Sequence, residues 1–206
     1  MGSDNKPETA AEPTKINHPF LLLSCLVTLA VGTVIALLLF HCVGDRAAYE
    51  KKIEVLAAED LHKLFLAVVV LGRTVLYVNF YPMDFKKDVK GNARADPTYY
   101  RTESGEPVVM ETEGDLGRYN RANRSVHHMI ENFGPFLLGI AVAGNVFPTI
   151  ILYLACVYGV GRVLHQSGYS SGYGGHAIGF LLANILAGQA MDGLCLLVFL
   201  KGEGIM

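Results

Sequence analysis

Residues 119–136 read YNRANRSVHHMIENFGPF, and LLGIAVAGNV follows directly. Arg121, Arg124, His128 and Glu131 recur at intervals of three, four and three residues, which puts them on one stripe of an α-helix. After Pro135 the sequence turns wholly apolar. A charged helix start therefore leads into a run of membrane length, about residues 125–145. Glu131 already heads into that run, and a carboxylate at such a depth is costly unless something pairs with it. The stretch makes the chain a membrane-spanning helical protein with polar groups at one end of the bundle. A helix start whose charges merely contact lipid headgroups is the simpler alternative, but it gives Glu131 nothing to gain.

The same reading extends outward. The 206 residues are 51% hydrophobic, the mean hydropathy is +0.34, and a span needs roughly 20 largely apolar residues. Further apolar runs occupy about residues 19–43, 61–82, 149–166 and 177–200. The expected class is all-α, a transmembrane bundle. Residues 1–18 read as a disordered polar tail, and 19–43 as a span or signal anchor, too long and too weakly basic in its flank for a cleaved signal. Residues 44–59 form a connection or helical extension, and 60–206 the main membrane domain. Turn signals at Gly91, Asp96-Pro97 and Gly105-Glu106-Pro107 mark a long polar loop. Lys63 can snorkel, whereas Arg73 lies mid-run and should face protein or a polar cavity. Basic residues flanking 83–124 assign that loop to the cytosol, and alternate crossings then bring 167–176 to the same side.

A second stripe ends the fourth run. Arg162, His165 and Tyr169 are three and four residues apart, with Tyr173 next if the helix continues. Tyrosines near an interface often anchor a helix as belt residues, but Arg162 stands in otherwise apolar sequence. The two stripes open to the same side and would line one polar site between helices. A stripe of both signs suits a small zwitterion carrying carboxylates and an amine.

The remaining signals are weaker. Net charge is −2, which argues against a nucleic-acid partner. The four cysteines fall in apolar stretches without CxxC spacing and read as packing residues, with no metal site expected. Gln189 and Asp192 suit interhelical hydrogen bonds or exposure. A channel would carry polar residues through the whole membrane thickness, and here they cluster at one end.

On these residues the chain resembles the MAPEG family (membrane-associated proteins in eicosanoid and glutathione metabolism). Its closest likeness is to the type 3 branch of microsomal glutathione transferases. RSVHHMIENFGPF stands for a family pattern like RAHxNxxExxPPF, and AVAGNVFPTI and GRVLHQSGY add to the likeness, which spans roughly residues 60–200. The resemblance implies a four-helix subunit, so residues 19–43 are an additional N-terminal span; in a second alignment they are the family's first helix and 61–82 is the insertion. It further implies a homotrimer binding glutathione as co-substrate between subunits, near the cytosolic face of the endoplasmic reticulum or another organelle membrane. Arg124 would hold a glutathione carboxylate and Glu131 the amine, which suits their chemistry. His128 stands where asparagine is usual, and His165 where tyrosine is common in one branch. Arg121, Arg162 and Tyr169 would line the same site. In the leukotriene C4 synthase branch an arginine that stabilises the thiolate matches His176 here. His176 and Tyr169 are therefore the implied catalytic pair, with a neutral histidine offering a hydrogen bond but no permanent charge. The implied reaction conjugates glutathione to an apolar electrophile from the bilayer, or reduces a lipid hydroperoxide. The alternative is a non-catalytic lipid-binding or scaffold protein on the same fold.

Overall fold

Local capping sets where the helices begin. Asn17 accepts a hydrogen bond from the Phe20 amide, and Pro19 fits the first turn of α1 (His18–Cys42). Asp45 accepts from the Ala47 and Ala48 amides to start α2 (Arg46–Ala58), which buries no residue. Helix α3 (His62–Phe80) tightens into a 3-10 turn over Tyr81–Lys86. Helix α4 (Gly114–Ala143) contains Pro135, which has no N–H to offer the carbonyl of Glu131. Pro148 opens α5 (Pro148–Ser171), and α6 (Ala177–Gly202) completes the bundle, with π-helical geometry over Leu181–Gly188. The computed structural model describes residues 14–86, 100–101, 109–172 and 174–206. Most of the tail expected to be disordered, the turn signals between 91 and 107, and Tyr173 lie outside the described residues.

The protein is an all-α integral membrane bundle. Its one departure among the described residues is a two-residue antiparallel ladder pairing Tyr100 with Met110 and Arg101 with Val109. By length and apolarity four helices can cross a membrane: His18–Cys42, His62–Phe85, Pro148–Ser171 and Ala177–Gly202. Helix α4 is not among them, although a third span was expected at 125–145. Its 30 residues are largely polar for the first two-thirds and wholly apolar only from about Pro135 onward.

Helices α3, α4, α5 and α6 share one core. Ala67 and Leu71 of α3 meet Phe136 and Ile140 of α4, Ala155 and Tyr158 of α5, and Ala183, Ala187 and Met191 of α6. Alanines at these contacts let backbones approach, the way helices associate where lipid removes the hydrophobic driving force. Phe136 and Tyr158 stack at 4.2 Å. The outward surface is itself apolar, including Leu138, Val142, Tyr153, Val160 and Ile178, as a lipid-facing wall must be. Helix α1 lies outside this core and reaches α3 through a narrow stripe, Leu21 and Cys25 against Tyr77 and Val78.

The starts of α1, α4 and α6 and the ends of α3 and α5 converge at one end of the bundle. There the Asn17 amide donates to Asp84 at 2.7 Å, Thr14 bonds Asp115, and Arg118 bonds the Thr14 carbonyl while lying over the Phe85 ring. At the opposite end Lys63 pairs with Asp60 and bonds Thr149.

Candidate functional site

The polar seam between α4 and α5 is built by helical spacing. Gln166 donates to the Ala122 carbonyl at 3.1 Å, Arg162 to the Ser125 carbonyl at 2.8 Å, and the Ser125 hydroxyl lies 2.9 Å from His165 Nδ1. Ser125, Arg162 and Gln166 are wholly buried. Arg162 Nη1 also lies 3.2 Å from His128 Nδ1. A guanidinium has only donors, so this imidazole nitrogen accepts, and the proton of neutral His128 sits on Nε2. Among the described residues Arg162 Nε has no partner. No described carboxylate comes within ion-pair distance of Arg162. A buried cation without a counter-charge is expensive. It is also a ready receptor for an anion.

Rings stack beside that cation. His128 lies on His165 at 5.0 Å, and His165 on Tyr169 at 5.6 Å, each pair tilted by only 10°. His176 meets His165 and Tyr169 edge-on, at 5.3 and 5.0 Å, and its buried Nδ1 has no partner. Phe180 closes on His128 at 6.0 Å. This arrangement needs α5 and α6 very close together. A β-carbon at Gly179 would run into the His165 backbone, and one at Gly168 into the Gly175 backbone.

Of the expected site residues, the structure brings His128, Arg162, His165, Tyr169 and His176 into one cluster. Arg124 and Glu131 sit on the exposed face of α4, paired with each other at 2.8 Å. His128 connects the two groups. Arg121 is buried and turned elsewhere: Nη1 donates to the Thr112 carbonyl at 2.7 Å and Nε to the Ser170 carbonyl at 3.2 Å. Its visible work is to tie the start of α4 to the end of α5. Arg121→Ala should therefore lower stability by about 1–3 kcal/mol through two lost bonds to buried carbonyls, read as a lower thermal midpoint in detergent. The same variant should change ligand affinity far less than Arg124→Ala.

Sequence reasoning passed over Ser125, Gln166, Phe180 and Tyr158. Each lies four residues from a residue already chosen (Arg121, Arg162, His176 and Arg162 again), so the helical period could have found them. One turn deeper, a cavity of about 350 Å³ opens between α4, α5 and α6, lined by Asn132, Phe136, Tyr158, Phe180, Asn184 and Met191 among others. Tyr158 Oη and Asn184 Nδ2 are buried there without partners among the described residues. Asn184 belongs to the π-helical stretch, which no sequence period announces. Gln189 and Asp192 are exposed along the same cavity.

A model of the MAPEG family matches residues 64–191, more than half the chain and all of the α4–α5 seam. No curated protein and no solved structure matches the chain. Helices α1 and α2 precede the matched residues.

Proposed function

This chain belongs to the MAPEG family, whose general role lies in membrane glutathione and eicosanoid metabolism, and from that membership we propose that it is a membrane-bound glutathione S-transferase, nearest in kind to the type 3 microsomal enzymes. The observation that carries the reading is Arg162, a buried guanidinium that no described carboxylate pairs with, beside a ladder of three stacked rings. A glutathione thiolate supplies the missing negative charge. Preorganised donors in a site shielded from water stabilise such an anion strongly.

The roles follow from chemistry and position. Arg124 takes a glutathione carboxylate bidentately, and Glu131 accepts from the amine, so the ligand opens the present Arg124–Glu131 pair and inserts between its members. His128, His165 and Tyr169 line the peptide. His176 donates to the sulfur in place of the arginine of related enzymes. The thiolate attacks the electrophilic carbon of an apolar substrate arriving from the bilayer, a C–S bond forms, and the leaving group departs with the electron pair. With a lipid hydroperoxide, the sulfur attacks the terminal oxygen, the lipid alcohol leaves, and a second glutathione reduces the sulfenic product to give the disulfide. The exposed Arg124–Glu131 face suits a subunit contact, which supports the homotrimer with glutathione between subunits, in the endoplasmic reticulum membrane, that the family likeness implies.

Conjugation of an electrophilic aromatic substrate by the detergent-purified protein tests the reading; no glutathione-dependent turnover would refute it. Arg124→Ala should raise the glutathione dissociation constant at least about tenfold, the worth of one charge-assisted pair, and leave the fold intact because the side chain is half-exposed. Calorimetry on the purified variant reads this directly. His176 favours a second reading, a non-catalytic lipid-binding member, for which glutathione would bind without turnover or fail to bind at all.

A further inference from the structure

The strongest unexplained feature lies on the opposite side of α5 from the glutathione seam. Helix α1 packs on α3, and the wedge between α1 and α5 is left open as a crevice of about 640 Å³. That volume falls within the roughly 300–1,000 Å³ typical of small-molecule sites. Its walls are apolar: Leu22 and Cys25 from α1, Val69 and Val70 from α3, Val160 and Val163 from α5. One charge interrupts them. Arg73 Nη1 donates to the Cys25 carbonyl at 3.1 Å and to Thr28 Oγ1 at 2.8 Å, while its covered Nε has no partner. Among the described residues no carboxylate pairs with it. At the mouth, His18 Nδ1 lies 2.6 Å from the Tyr77 hydroxyl.

The two bonds to α1 fasten the helices together but leave the charge of Arg73 unneutralised, and a cation in hydrocarbon is costly without an anion. We infer that the α1–α3–α5 crevice binds an unesterified long-chain fatty acid, its carboxylate on Arg73 beside the His18–Tyr77 pair and its chain along Val70 and Val160. Charge complementarity selects an anion, and the apolar walls select a hydrocarbon chain attached to it. Depth argues against a phospholipid. Arg73 lies eight residues inward of Tyr81, about 12 Å along a helix, deeper than a phosphate headgroup rests. Because one wall is α1, outside the residues matched to the family, this site is separate from the glutathione reading and does not depend on it.

The chain contains no tryptophan, so one introduced indole gives a clean reporter. Full-length Val160→Trp protein in nanodiscs of unbrominated phosphatidylcholine is titrated with a dibrominated stearic acid, its methyl ester, and a dibrominated phosphatidylcholine. The expected result is saturable quenching by the acid, with the ester about tenfold weaker. Arg73→Gln should weaken the acid by about the same factor, and Arg73→Lys should keep most of its affinity, since one charge-assisted bond is worth about that much. Leu164→Trp, on the same wall, repeats the measurement at a second position. Equal quenching by acid and ester would mean bulk lipid fills the crevice. Quenching matched by the phosphatidylcholine, or absent because a second copy covers the crevice, would equally overturn the assignment.

Discussion

Replacing Arg162 by methionine is expected to cut glutathione-dependent turnover by at least about 100-fold, the usual worth of a preorganised charge at a developing anion, without unfolding the protein. Arg162 is wholly buried, holds the Ser125 carbonyl and His128, and meets no described carboxylate. Removing one member of a buried ion pair leaves its partner stranded and costs several kcal/mol. Among the described residues Arg162 has no charged partner to strand. An apolar side chain of similar length relieves the burial of the cation but gives up the bonds to the Ser125 carbonyl and His128, and these opposed effects, each of about 1–3 kcal/mol, should leave ligand-free stability near the native level. Thermal unfolding with and without glutathione separates the two effects: the variant should melt as high as the native protein alone, and gain nothing from the ligand. Arg162→Lys keeps the charge but cannot reproduce a two-pronged contact to Ser125 and His128, so it should recover only part of the activity. A methionine variant that melts well below the native protein, yet keeps its turnover at temperatures where it is folded, would show that Arg162 is structural.

Gly179→Val should have the largest effect on the fold. A β-carbon there meets the His165 backbone and the Gly161 carbonyl, neither of which can rotate away as a side chain tip would. Overpacking of this kind typically costs about 1–3 kcal/mol, and the branched valine on a backbone contact belongs at the upper end. For a protein of this size each kcal/mol lowers the melting midpoint by about 2–4 °C. The site should fail with the packing. Separating α5 from α6 draws His176 and Phe180 away from His165, Tyr169 and His128. Gly193 offers the internal control, since a β-carbon there meets nothing within 4 Å. Gly193→Ala should be neutral or slightly stabilising, because alanine is the better helix former.

Apolar runs and caps carried most of the architecture. Helices α1, α3, α5 and α6 begin and end within a few residues of the runs read from the sequence, because membrane thickness and proline or asparagine starts leave little freedom. Residues 44–59, read as a connection or extension, form α2, whose charged surface packs against almost nothing. The site was legible in part. Spacing put Arg121, Arg124, His128 and Glu131 on one stripe, but a stripe this wide has two edges, and the position of α5 decides which is buried. Arg121 and Ser125 fall on the buried edge, Arg124 and Glu131 on the open one. The ring ladder depended on α6 folding back to bring His176 beside His165. That return rests on Gly168, Gly175 and Gly179, whose role is visible only when the helices touch. The π-helical stretch Leu181–Gly188 was not legible at all: LLANILAG carries no proline and no glycine before its last residue, and the stretch packs against α5.

The chemical event at the centre of the proposed activity is the conversion of bound glutathione into its thiolate. Rapid mixing of the detergent-purified protein with glutathione, followed by the ultraviolet absorbance of the thiolate, measures that event before any second substrate is added. The expected result is a saturable rise in thiolate absorbance near neutral pH that is lost in Arg162→Met. No rise in the native protein, or an equal rise in the methionine variant, would contradict the assignment of the Arg162 cluster as a thiolate-stabilising site.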